Sequence, residues 1–185
     1  MRIRVFSALL CLAALGEARA QQPKFLSDST LERPTDYEQW VMVGSSTGLS
    51  YNAAVNAQPG ASPGMFHNVY LQPWAYRQVV ETGRFPEGSM FVLAFFESST
   101  NAAPAKGGFY EGDQLASFEV HVKKSGIDPT GWAFFGFDDK GPGEKLPGNA
   151  PCYSCHATEA KVDNVFVQFY PALREKLAAK GVYRK

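Results

Sequence analysis

The sequence predicts a single α+β domain, and three observations carry that expectation. Met90 to Phe96 is a run of seven apolar residues, the pattern of a strand buried on both faces. Leu115 to Lys123 alternates, with Leu115, Ser117, Glu119, His121 and Lys123 on one face and Ala116, Phe118, Val120 and Val122 on the other. Two stretches open on proline and close on glycine, Pro73 to Gly83 and Pro171 to Gly181, and read as helices. A length of 185 residues with 45% hydrophobic and 14% aromatic side chains suffices for one packed core.

Taken in order, residues 21 to 33 are polar and irregular and read as a loose arm. Thr35 followed by Glu38 is a capping box, and Tyr37, Trp40 and Val41 share a helical face, which predicts a helix over 35 to 43. Gly44 to Gly64, rich in Gly, Ser, Asn and Pro, reads as a long loop of the kind that often carries function. Phe66 to Leu71 is a strand candidate, and Arg84 to Gly88 a turn. Beyond the alternating strand, Gly131 to Phe137 reads as an aromatic strand, Asp138 to Ala150 as a loop, and Val165 to Phe169 as a last strand.

Charge and hydropathy restrict the function. Lys and Arg number 18 against 18 Asp and Glu, so no basic surplus exists to neutralise phosphates, and nucleic-acid binding is not expected. The only long apolar run, Val5 to Leu15, has 11 residues, whereas a membrane-spanning helix needs roughly 20. Arg2 and Arg4 ahead of this run and Ala18-Arg19-Ala20 behind it make residues 1 to 20 a secretory signal, with cleavage expected after Ala20 and a periplasmic or secreted product. The rival, a lipoprotein signal at Cys11, is disfavoured by Leu10 where a small residue is needed. Cleavage leaves 15 basic and 17 acidic side chains of the 18 and 18, a nearly neutral chain.

Cleavage also leaves only Cys152 and Cys155, and His156 follows at once. Cys-x-x-Cys-His is the pattern in which two thiols add to the haem vinyl groups and the imidazole reaches the iron. Residues three apart lie on one face of a helical turn, so both thioethers meet one porphyrin edge. A disulfide would close a very small strained loop, and a thioredoxin-type pair belongs near an early strand rather than the chain's end. Zinc needs four ligands, and only His67 and His121 remain, neither at ligand spacing. One covalent haem c is the expected cofactor.

The residues after His156 contain neither Met nor His, so a protein ligand opposite it must come from Met42, Met65, Met90, His67 or His121. Met90 reads as core, Met42 as a helix end, and Met65 and His67 flank a loop exit. His121, beside Glu119 at period two, is the best polar pocket candidate, with a solvated strand face as its alternative. The expected iron is five-coordinate with an open distal site.

Asp36-Tyr37-x-x-Trp40, His67-Asn68-Val69-Tyr70, Phe85-Pro86-Glu87-Gly88, Glu119-Val120-x-Val122-Lys123, Gly131-Trp132-x-Phe134 and Cys152-x-x-Cys155-His156 follow one another in an order that, with the tail through Tyr170-Pro171, resembles the cytochrome P-460 and cytochrome c′-β family over nearly all of residues 34 to 171. The resemblance implies a small antiparallel sheet with helices packed on it, a periplasmic c-type haem, proximal histidine ligation, and a distal pocket for small nitrogen oxides. Its catalytic members carry a lysine crosslinked to the porphyrin and a distal carboxylate. Here Leu93 stands at the lysine position, and no lysine occurs from Gln72 to Pro104. Phe91, Leu93 and Phe95 share one strand face and resemble the apolar distal lining of the gas-binding branch. The distal carboxylate falls at Glu119, or His121 takes its place if the register slips by two.

A binder of nitric oxide is therefore the first expectation, a hydroxylamine or nitric oxide oxidoreductase the second, and a periplasmic electron carrier the third. The partners expected are a small nitrogen-oxide ligand, a redox protein and a second copy of the chain.

Overall fold

The computed structural model describes residues 22–50, 64–100, 102–138 and 140–184. The expected signal over residues 1 to 20 and most of the loop expected over 44 to 64 lie outside them. The described residues form seven strands: β1 (Thr30–Leu31), β2 (Val41–Thr47), β3 (Phe66–Leu71), β4 (Met90–Ser99), β5 (Tyr110–Lys123), β6 (Trp132–Gly136) and β7 (Gly143–Lys145). The three α-helices are short: α1 (Pro73–Thr82), α2 (Pro151–Glu159) and α3 (Pro171–Ala179). The strands make one sheet in the order β1-β7-β6-β5-β4-β3-β2, every pair antiparallel.

This corrects the expected architecture of a small sheet packed by helices. The sheet dominates because three segments read as arm, helix and loop are strands. Thr30–Leu31, inside the expected loose arm, pairs with Glu144 and Gly143, and Leu31 is fully buried. The helix expected over 35 to 43 is reduced to one 3-10 turn at Tyr37–Gln39, with no side-chain cap. Val41–Thr47, with β-branched residues at Val41, Val43 and Thr47, instead pairs with β3. Gly143–Lys145, in the expected loop, pairs with β6. The strand expected at Val165 to Phe169 is also absent: Val165 makes an isolated bridge with Val162, and Val167–Phe169 is a 3-10 turn. The cause is local. Asp163 and Asn164 both adopt left-handed backbone (φ 47° and 57°), which turns the chain back before a strand can extend.

Other expectations hold. Pro73 opens α1, and Gly83 ends it in left-handed conformation, its N–H donating to the carbonyl of Val79. Buried Gln72 ties this helix to the sheet, donating to the Gly88 carbonyl at 3.1 Å and accepting from the Met90 N–H.

β4 is buried on both faces. Phe91 joins Val69, Leu71 and Trp132 in a core roofed by Ala75 and Val79 of α1 and Leu173 and Leu177 of α3. Val92 and Ala94 join Phe118, Val120 and Phe135 on the opposite face, closed by Leu31, Tyr37 and Trp40 of the N-terminal segment. Arg33 stacks on the Phe118 ring at 3.8 Å there.

Candidate functional site

Pro151 at its first turn starts α2, and Ala150 ahead of it is extended, as the residue before a proline prefers to be. Tyr153 moors the helix: its hydroxyl donates to the Leu146 carbonyl at 3.3 Å and accepts from the Phe134 N–H at 3.5 Å. Cys152 and Cys155 are half-buried. Burial pushes the Cys152 thiol up, which keeps it protonated.

His156 lies in the last turn of α2. Its Nδ1–H donates to the Asn164 carbonyl at 2.7 Å, since a carbonyl only accepts, and this leaves Nε2 with a free lone pair. The ring is packed by Phe166 at 4.2 Å, Phe134 at 4.7 Å and His121 at 4.9 Å between centroids. Burial lowers its pKa against the opposing effect of the Asn164 hydrogen bond, so the imidazole is neutral, the form that ligates a metal.

The haem-motif residues and the expected distal residues converge on one cavity of about 600 Å³. Its sheet wall contains Phe91, Leu93 and Phe95 from β4 and Glu119 and His121 from β5; Cys152, Cys155 and His156 come from α2. Strand register does the gathering, because Phe91 pairs with His121 and Leu93 with Glu119, which puts those side chains on one face. Burial raises the Glu119 carboxyl and favours its protonated form.

His121 lines the cavity rather than a solvated strand face. It is 8% exposed, stacked on Phe134 at 4.2 Å and 6° and tilted against Trp132 at 4.3 Å. Its ring meets that of His156 edge-on, at 68°, rather than standing across a gap from it. Burial, with a smaller effect of His156, drives its pKa well below the ordinary value. Its buried Nε2 has no hydrogen-bond partner among the described residues.

Of the other ligand candidates, Met42 and Met65 are exposed (47% and 39%), and Met90 is buried in the opposite core. His67 does reach the cavity wall, edge-on to Phe95 at 4.6 Å, and burial lowers its pKa. Sequence reasoning missed Gly44, Ser45, Phe134, Phe166, Phe169 and Tyr170, which also line the space. Phe134 was signalled by its period-two place in an aromatic strand; the others are brought in by the path of the chain.

The donor set fits a porphyrin. The lining is mainly apolar, the volume lies within the range of small-molecule and cofactor cavities, and two thiols and a neutral imidazole share one wall.

An antiparallel sheet presenting Cys-x-x-Cys-His to an apolar cavity defines a haem-protein class of domain. The family model for cytochrome P460 matches residues 34–167, and the chain belongs to the cytochrome P460 family. A search of curated proteins found no match. Membership implies a haem cofactor, and members of the family are typically exported. No helix among the described residues is long and apolar enough to cross a membrane.

Proposed function

We propose that the chain is an exported monohaem c-type cytochrome, joined to its haem through Cys152 and Cys155, ligated by His156 alone, and binding small nitrogen oxides such as NO. The observation that carries this reading is the shared cavity of the motif residues with Phe91, Leu93 and Phe95. Haem, when bound, would supply an iron able to take a small ligand. His156 offers Nε2 because Nδ1–H is held by Asn164. His121 packs edge-on against His156, and its ring is held between Phe134 and Trp132. Apolar walls exclude water and anions and penalise diatomic gases little.

The reading includes export after removal of residues 1 to 20, a haem domain over 34 to 185, and a homodimer served by a redox partner. Changing both cysteines to Ala should leave the haem extractable into acidified organic solvent, and retention of covalent haem in that variant overturns the attachment. Reduced protein should show a high-spin spectrum that NO alters; a low-spin spectrum abolished by His67→Ala or His121→Ala overturns five-coordination.

A second reading, oxidation of hydroxylamine or NO, is favoured by Glu119, a half-buried carboxyl of raised pKa in the same cavity and able to exchange a proton. Leu93 opposes it, since no amine is present to crosslink the porphyrin; the intact mass should equal apoprotein plus unmodified haem. Anaerobic turnover of hydroxylamine with an artificial acceptor, lost in Glu119→Ala, would favour this reading over the first. The electron-carrier alternative is opposed by the exposed Met42 and Met65 and the remote Met90, none of which reaches the cavity.

A further inference from the structure

The Asp163-Asn164 turn combines two features. Both residues hold left-handed backbone without being glycine, a conformation that surrounding structure must maintain. The carbonyl this turn presents is the one that accepts the His156 Nδ1–H. Backbone hydrogen bonds between Val165 N–H and the Val162 carbonyl (2.8 Å) and between Val162 N–H and the Val165 carbonyl (3.4 Å) close the turn, and the Asp163 carboxylate anchors it to the sheet. Its Oδ1 accepts from Trp132 Nε1 at 3.2 Å, and its Oδ2 accepts from Lys123 Nζ. Lys123 and Trp132 are cross-strand partners at the adjoining ends of β5 and β6, so one rung of the sheet supplies both donors. Trp132 is fully buried, and the Lys123–Asp163 pair is shielded, with side chains 23% and 34% exposed.

We propose that Asp163 is a positioning residue: anchored by Lys123 and Trp132, it holds the Asn164 carbonyl on His156 and thereby sets the tautomer, ring orientation and donor strength of that imidazole. The proposal rests on the haem reading for its consequence at the iron, and on His156 alone for its geometry. A histidine whose far N–H is bound to a fixed acceptor is a stronger donor, which favours the oxidised metal. Removing the anchor frees the turn to shift against the sheet and draws the carbonyl away from His156.

The test compares Asp163→Ala and Asp163→Asn with the unsubstituted chain, each purified with its haem. Asn tolerates left-handed backbone and keeps an oxygen for Trp132 Nε1–H, so it serves as the conservative rescue. In Asp163→Ala the reduced-to-oxidised ratio at a fixed poise should rise about threefold, equivalent to about 28 mV at 59 mV per decade for one electron. The iron–histidine stretching frequency should fall with it, and Asp163→Asn should recover most of both. Should Asp163→Ala lower the melting temperature while the potential and the stretch stay unchanged, Asp163 is only a structural anchor and the proposal is wrong.

A chain that binds no haem overturns the haem reading and leaves the geometric claim testable. Imidazole 15N NMR of that chain should show His156 as the Nδ1–H tautomer, and a mixture of tautomers in Asp163→Ala. An identical tautomer in both would overturn the proposal.

Discussion

The two faces of the β4–β5 pair share apolar β4 side chains but differ on β5, where Glu119 and His121 face the cavity and Phe118, Val120 and Val122 the closed core. On one face Val92, Ala94, Phe118, Val120, Val122 and Phe135 are all but inaccessible, closed by the N-terminal segment through Leu31, Tyr37 and Trp40. On the other, Phe91 is closed under Phe85 and Tyr170, while Leu93 and Phe95 remain half-buried over the cavity. The difference lies in what covers each face. The segment 25 to 40 brings aromatic rings and the Arg33 stack down onto the sheet, whereas α2 brings Cys152, Cys155 and His156. Protein interiors rarely leave space larger than a few waters. An apolar cavity of about 600 Å³ has the size and lining of a small-molecule or cofactor site, and its cover carries Cys152, Cys155 and His156.

The largest expected effect separates the faces directly. Phe135→Ala, in the closed face, should lower stability by roughly 3–5 kcal/mol in denaturant unfolding. Leu93→Ala in haem-free chain should lose only about 1 kcal/mol, because it widens a space already present. Equal losses would mean that the cavity face is as tightly packed as its opposite, and would break the comparison.

Gly44→Ala sharpens it from the cover side. A Cβ at Gly44 would meet Tyr170 Cδ1 at 2.7 Å and the Phe169 carbonyl oxygen at 2.9 Å, both on the segment that lines the cavity beside α2. Overpacking of this kind loses roughly 1–3 kcal/mol. The haem-to-protein ratio should fall with stability, since the displaced segment also lines the site. Unfolding curves and haem content unchanged from the unsubstituted chain would show that this segment is free to move aside.

The strongest elements were legible because their signals were long. The seven apolar residues of β4 and the alternation of β5 admit one reading, and register then gathers Phe91, Leu93, Glu119 and His121. The contiguous motif at Cys152, Cys155 and His156 needs no fold to be recognised. β1 and β7, at two and three residues, are too short to show a period. β2 was obscured because Tyr37, Trp40 and Val41 fit a helical face as well as a turn entering a strand. The turn at Asp163-Asn164 has a weak signal, since these two residue types tolerate left-handed backbone; its bond to His156 spans eight positions and exists only in three dimensions. The small size expected of the sheet failed for the same reason: short strands at its edges add area without adding pattern.

The smallest effect tests whether the cavity face is electrostatically as well as sterically incomplete. Burial raises the Glu119 carboxyl above its ordinary value of 4.5, so the folded chain binds this proton more tightly than the unfolded chain does. Its favourable contribution is present below about pH 4.5 and is lost as pH rises through the folded-state pKa, because the charged form is then held in an apolar wall. Glu119→Gln keeps the shape and removes that charge. The melting temperatures of the variant and the unsubstituted chain should converge at the acid end of a series from about pH 4 to about pH 8, and the variant should lead increasingly above it. A constant difference across the series would mean that the carboxylate finds water or a partner in the cavity, and the face that carries Leu93 and Phe95 would then be wet where its side chains are apolar.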